Sequence, residues 1–233
     1  MTVTLLRHRD RIEGDLVIEV AFTDVSLSLG DAADPAVRAE ALRVLARESG
    51  ATPVLMHQVH GADVDLVDGS RADAAADCDA SITSRPGVAL LARAADCVPV
   101  LLADPATGWI SAVHSGRPGL AAGVTTAAVA ALRERGADPS VAWIGPHVCG
   151  ACYEVPESLR DEVAALVPEA RSTTSWGTPA LDLGAGVRAQ LGAAGITDIR
   201  EVGACTREDV TWPSYRRDGA AATRFAGMIW SHR

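Results

Sequence analysis

Residues 95–119 constrain the fold of this chain more than any other stretch. They read Ala-Asp-Cys-Val-Pro-Val-Leu-Leu-Ala-Asp-Pro-Ala-Thr-Gly-Trp-Ile-Ser-Ala-Val-His-Ser-Gly-Arg-Pro-Gly. Two apolar runs, 98–103 and 109–113, flank Asp104-Pro105-Ala106-Thr107-Gly108. Pro presets φ and Gly accepts a positive φ, so these residues carry turn chemistry and the whole reads as a β-hairpin. Paired residue numbers in an antiparallel ladder have a constant sum. Pairing Ala103 with Gly108 therefore sets Cys97 opposite His114. Opposed residues share a face with Cβ atoms about 5 Å apart, so this register brings a thiol and an imidazole together at the open end of the hairpin. A one-residue slip would put them on opposite faces.

Residues 53–67 read as a second strand–turn–strand pattern, with Gly61 at the bend and His57 and His60 beside it. Gly61 permits a tight turn that pushes His60 outward at a strand end. One Cys and two His make a ligand set for a catalytic zinc, with three protein ligands and one open position. Plainer readings stand beside this one. Cys97 next to Val-Pro-Val suits core filling, and a His at a strand end suits the surface or a satisfied hydrogen bond. Spacing alone does not decide between them.

The 233 residues contain no linker-like tract, which predicts one domain over 1–233. Aromatic residues are only 4% of the chain, so Ala, Val and Leu must fill the core. All 21 basic residues are Arg, and the net charge of −9 argues against a nucleic-acid polymer or an anionic membrane as partner. A small anion in a local basic pocket remains compatible with it. No run of 18 apolar residues predicts a membrane span, and the first residues lack the apolar core of a signal peptide. Five irregularly spaced cysteines do not suggest a secreted disulfide framework. The expectation is a cytoplasmic protein with reduced thiols.

Patterning predicts strands over 16–22, 53–59, 63–67, 79–83, 87–93, 141–145, 199–202 and 225–230 besides the hairpin. Helices are expected over 35–48 with Gly50 as C-cap, and over 121–135, 156–167 and 182–194. This α/β mixture, with many short strands and hairpins, disfavours a purely parallel doubly wound sheet. After His114 the chain turns through Gly116, Arg117, Pro118 and Gly119 toward a helix. Free backbone N–H groups there, with the charge of Arg117, would suit a phosphate; an ordinary strand-to-helix turn is the plainer reading. Cys149-x-x-Cys152 could be a redox motif or half a zinc site. No second CxxC and no thioredoxin-like pattern accompany it, which favours loop packing. Arg216, Arg217 and Asp218 suit a solvated turn, or an anion contact given the aromatic residues around them.

Several segments together resemble the YfiH/YlmD family, also called the laccase-domain or multicopper polyphenol oxidase family and described functionally as purine nucleoside phosphorylases. They are Gln58-Val59-His60-Gly61, Ala95-Asp96-Cys97-Val98-Pro99-Val100, Ala112-Val113-His114-Ser115-Gly116, Ile144-Gly145-Pro146 with Tyr153-Glu154-Val155, Cys205-Thr206, and Ser214-Tyr215-Arg216-Arg217-Asp218-Gly219. The resemblance implies a layered α/β sandwich of mixed sheets with helices outside. It implies a metal site at His60, Cys97 and His114 holding zinc, with copper the weaker choice. The implied chemistry is phosphate-dependent cleavage of adenosine, inosine, guanosine or methylthioadenosine, with adenosine deamination as a side activity. Asp96 is then a candidate for ligand orientation or proton transfer, and Gly116, Arg117, Arg216 and Arg217 for phosphate or substrate contacts.

Three segments depart from the family pattern. Ser115-Gly116-Arg117-Pro118-Gly119 moves an Arg one place earlier and lacks a Trp. The stretch 22–30 is shortened, and 219–224 is lengthened. These changes point to drift in the phosphate and nucleoside contacts. Other readings are a copper polyphenol oxidase, a metal-free hydrolase with Cys97 as nucleophile and His114 as base, and a binding protein without catalysis. A multicopper cluster needs many imidazoles, and the chain has six His. The expected partners are a nucleoside and phosphate, in a monomer or small homo-oligomer.

Overall fold

The hairpin lies at the centre of the protein, and every residue of its two strands is buried. The computed structural model describes residues 6–69 and 76–233; the first five residues of the amino-terminal stretch read above lie outside that description. In chain order the strands are β1 (Arg7–Ile12), β2 (Val17–Phe22), β3 (Thr52–Leu55), β4 (Val64–Leu66), β5 (Ala80–Thr83), β6 (Val88–Ala94), β7 (Val98–Ala103), β8 (Ile110–Ser115), β9 (Val141–Ile144), β10 (Arg171–Thr173), β11 (Pro179–Leu181), β12 (Asp198–Glu201) and β13 (Phe225–His232). The helices are α1 (Pro35–Ser49), α2 (Arg117–Ala122), α3 (Val124–Arg133), α4 (Glu157–Leu166), α5 (Leu183–Ala193) and the single turn α6 (Tyr215–Asp218).

Two large mixed sheets form the body. One has the order β1-β2-β13-β6-β3, the other β12-β9-β7-β8-β5-β4, and β10 and β11 make a small ribbon. The pairs β3–β6, β4–β5 and β9–β12 are parallel and the remaining pairs antiparallel. Alternation along the hairpin explains how the sheets stack. Leu101, Ala103, Ile110 and Ala112 point toward Val20, Leu90 and Ile229 of the other sheet. Val98, Val100, Leu102 and Val113 point the opposite way, onto Leu120, Val124, Val129 and Val187 of α2, α3 and α5. On the far side of the five-stranded sheet, Ala41 and Leu45 of α1 cover Leu91, Met228 and Trp230. The result is helix, sheet, sheet, helix, the layering that the family resemblance implies.

Several details differ from the expectations. The hairpin register is shifted by two: Ala103 pairs with Ile110 and Pro99 with His114, so Cys97 is not directly opposite His114. The cause is Asp104. Its backbone N–H and carbonyl bond Trp109 and Gly108, and its carboxylate accepts from the Ala106 N–H at 2.9 Å and the Thr107 hydroxyl at 2.6 Å. These bonds close a loop over 104–109, two residues longer than expected. Because the shift is even, both functional side chains keep the inter-sheet face. Residues 53–67 are not a hairpin either, since β3 and β4 belong to different sheets and each pairs in parallel with another strand. The expected helix 121–135 is divided at Gly123, whose φ of 78° ends α2 and begins α3.

Candidate metal centre

The chain crosses between the two sheets from β3 to β4, and His60 sits in that crossover. Cys97 ends the link between β6, in one sheet, and β7, in the other. His114 lies near the end of β8. Three segments that move between layers thus meet at one end of the sandwich. His60 and Asp96 both have left-handed backbones, with φ of 64° and 90°. Non-glycine residues rarely hold this conformation without support from their surroundings.

The donor atoms of His60, Cys97 and His114 all lie within 4.8 Å of one another. Cys97 Sγ is 3.8 Å from His60 Nε2, and the two imidazoles meet edge to face with centroids 4.8 Å apart. Zinc holds sulfur at about 2.3 Å and nitrogen at about 2.0–2.1 Å, so one ion can reach all three atoms. The room for it depends on Gly116. A Cβ there would stand 2.5 Å from His60 Cδ2 and 3.2 Å from Cys97 Sγ.

His114 is oriented from behind by Asp79, a residue the sequence reading placed only at the start of a strand. Asp79 is fully buried. Its Oδ1 accepts from His114 Nδ1–H at 2.8 Å, and its Oδ2 accepts from the N–H groups of Gly61 at 2.6 Å and Val59 at 3.2 Å. One carboxylate therefore fixes both the His114 ring and the turn that carries His60. With Nδ1 donating, the lone pair of His114 is on Nε2. Burial raises the Asp79 pKa, but the hydrogen bonds from His114 and the Gly61 N–H outweigh it and hold the carboxyl below its usual range. Burial lowers the His114 pKa despite Asp79, so the ring is neutral and able to ligate. Burial, then the Asp96 charge, push the Cys97 thiol up to about 12.

The three donors line a cavity of about 700 Å³ together with Asp96, Tyr153, Tyr215, Arg93, Arg216 and Arg224. Asp96 accepts from the Thr206 hydroxyl at 2.7 Å and the Arg216 backbone N–H at 2.6 Å, which ties the carboxy-terminal segment to the Cys97 turn. The Arg216 guanidinium lies over the Tyr153 ring, 4.6 Å from its centroid. Arg93 is buried, donating to Asp31 and to the carbonyls of Leu29 and Met56, while its Nε has no partner among the described residues. Arg117 heads α2 with Gly116 as its N-cap and is not among the cavity-lining residues. Nor is Arg217, whose guanidinium donates to the carbonyls of Thr206 and Trp212 and to Asp218. His57 is turned to Asp77, His147 and His232 bond Gly145 and Glu19, and His8 lies against Trp212. Two of the six imidazoles therefore reach the cavity.

Comparison with known proteins gives a consistent picture. A family model described as multi-copper polyphenol oxidoreductase laccase matches residues 10–232. A Streptomyces coelicolor protein named purine nucleoside phosphorylase is 50% identical over 212 residues, 88% of this chain and 87% of that protein. The crystal structure of Bacillus licheniformis hypothetical protein YfiH superposes with a TM-score of 0.84 at 26% identity, covering 91% of this chain and 92% of that one. YlmD from Geobacillus stearothermophilus gives a TM-score of 0.83 at 28% identity, covering 93% of this chain and 92% of that one.

Proposed function

The chain belongs to the multi-copper polyphenol oxidoreductase laccase family, and from that membership we propose that it is a zinc-dependent purine nucleoside phosphorylase. One observation carries this reading: the His60–Cys97–His114 donor set and the side chains of Arg93, Arg216 and Arg224 share the walls of one cavity. Its similarity to a protein named purine nucleoside phosphorylase supports the same reaction class.

The donor set fits a catalytic zinc in kind and number. When bound, the ion supplies Lewis-acid polarisation of an oxygen and a lowered pKa for water. The protein's own groups do the rest. Asp79 holds His114 in the ligating tautomer. The arginines on the cavity wall offer charge-assisted hydrogen bonds to phosphate. Tyr215, exposed on the cavity wall, offers a ring for a purine. Asp96 acts as a positioning residue, because its carboxylate oxygens already accept from Thr206 and Arg216. In the reaction the C1′–N9 bond breaks, a phosphate oxygen gives up its proton and bonds to C1′, and the purine leaves carrying one proton. Adenosine deamination is proposed as a second activity of the same cavity.

Two rival chemistries are less well supported. Multicopper oxidation requires more imidazoles than the two that reach this cavity. A metal-free Cys–His hydrolase requires a thiolate at neutral pH, whereas burial pushes the Cys97 thiol up to about 12. The test is adenosine incubated with the zinc-loaded protein, with and without inorganic phosphate. Phosphate-dependent release of adenine and a ribose phosphate is expected. Oxygen consumption on phenols with no nucleoside cleavage would instead favour the oxidase.

A further inference from the structure

A second cluster of metal-ligating side chains lies outside the cavity. Cys149, Cys152, Cys205 and Glu208 each present one donor atom, and the four atoms lie within 4.8 Å of one another. We infer that these four residues form a structural zinc site that clamps the 145–153 loop to the 204–209 segment.

Local backbone geometry builds both halves of the set. The Cys152 and Tyr153 N–H groups bond the Cys149 carbonyl at 2.9 and 3.0 Å, closing a tight turn that brings the Cys149 and Cys152 side chains together. The Glu208 and Asp209 N–H groups bond the Cys205 carbonyl at 3.2 and 2.9 Å, which does the same for Cys205 and Glu208. The two turns are fastened to each other. The His147 N–H reaches the Ala204 carbonyl at 3.2 Å, and the Thr206 N–H reaches the His147 carbonyl at 3.0 Å. The Cys149 N–H also donates to Cys205 Sγ at 3.4 Å, the kind of backbone contact that steadies a ligating thiolate. Gly150 lies inside the first turn, where a Cβ would come 2.7 Å from both Asp182 Cβ and Ser172 Oγ. The turn is thus seated against the protein before any ion arrives.

The donor chemistry selects the ion. Three sulfurs and one carboxylate make a closed four-ligand set, the form of structural zinc sites, and soft thiolates disfavour magnesium and calcium. With all four ligands ionised, the site carries more negative charge than a divalent cation cancels. Arg207 and Arg216 border the same surface depression as Cys152 and Glu208 and place positive charge beside it. Glu208 is exposed while Cys152 is buried, so the site opens to solvent on the carboxylate side and an ion can enter there.

The clamp lies against the first site. Tyr153, next to Cys152, is under the Arg216 guanidinium, and Thr206, next to Cys205, donates to Asp96. A zinc here would hold one wall of the cavity without touching substrate. The inference does not depend on the reaction proposed above.

The experiment is elemental analysis of full-length protein loaded with zinc alone. The wild type is expected to hold about two zinc ions per chain. Cys149→Ser/Cys205→Ser and His60→Ala/His114→Ala are each expected to hold about one. In the zinc-loaded His60→Ala/His114→Ala protein, Cys149, Cys152 and Cys205 should resist alkylation and react once a chelator is added, as mapped by peptide mass spectrometry. This arm keeps the cluster intact, so misfolding of the cysteine variant cannot decide the matter. A wild type holding about one zinc that the His60→Ala/His114→Ala change abolishes would overturn the inference. So would alkylation indifferent to the chelator, or a disulfide within the cluster in protein purified under reducing conditions.

Discussion

Replacing Asp79 with Asn probes the centre without touching a proposed ligand. The carboxylate accepts from His114 Nδ1, Gly61 N and Val59 N, and it is fully buried. Asn has nearly the same shape but one oxygen and one NH₂. If the oxygen stays on the Gly61 and Val59 N–H groups, the NH₂ faces His114 Nδ1, and two donors cannot bond each other. The imidazole relieves this by moving its proton to Nε2, which removes the lone pair a metal requires. If the amide flips, the clash moves to the turn that carries His60. Either way one ligand is compromised. Losses on disturbing such a supporting contact run about 10–100-fold in metal affinity. The tautomer argument places Asp79→Asn near the upper end, about 2.7 kcal/mol at 1.36 kcal/mol per tenfold. Competition of the metal-free protein against a chromophoric chelator measures it, with circular dichroism to check the fold. Zinc affinity within about twofold of wild type would refute the proposed role of Asp79.

Other outcomes follow from the same geometry. Gly116 has an ordinary φ of −79°, so Gly116→Ala should leave the backbone and melting temperature nearly unchanged. Its new methyl would crowd His60 and Cys97, and zinc binding should fall at least tenfold; undiminished binding would contradict the geometry of the centre. Arg217→Ala removes guanidinium bonds to the Thr206 and Trp212 carbonyls and should cost roughly 1.5–3 kcal/mol in urea unfolding, while a neutral result would show that the segment holds itself. The pH dependence of the metal-free protein has a defined sign. Burial holds the His114 pKa below its usual value, so the unfolded chain takes up that proton first as pH falls. The contribution is complete above about pH 6.5 and is lost as pH falls toward the folded-state value. His232, raised by its hydrogen bond to Glu19, acts in the opposite sense. The measurement is therefore the wild-type minus His114→Gln difference in unfolding free energy, expected to shrink on acidification; a flat difference would contradict the burial argument.

What could be read from the chain was local. Pro35 begins α1, and Gly50 ends it with a φ of 68°; each signal lies within a few residues of its effect. The hairpin was legible for the same reason, but its register was not. The carboxylate that fixes the loop also accepts from the distant Asp138 N–H, and its bonds draw Gly108 and Trp109 into the turn. The 53–67 segment shows the limit of periodicity, since its two strand-like runs pair with β6 and β5 rather than with each other. Residue types suggested one Cys and two His, and only the crossing of the sheets explains their meeting. Asp79 carried no signal beyond an acid at the start of a short strand. Cys149 and Cys152 read in the sequence as loop packing, because the donors they meet, Cys205 and Glu208, lie in a segment far along the chain and form no second CxxC.

The most direct test of the central claim is a crystal of the zinc-loaded protein measured on both sides of the zinc absorption edge. An anomalous peak among His60 Nε2, Cys97 Sγ and His114 Nε2, within about 2.0–2.3 Å of each, is the expected result. Zinc bound elsewhere in the same crystal while that position stays free of a peak would contradict it.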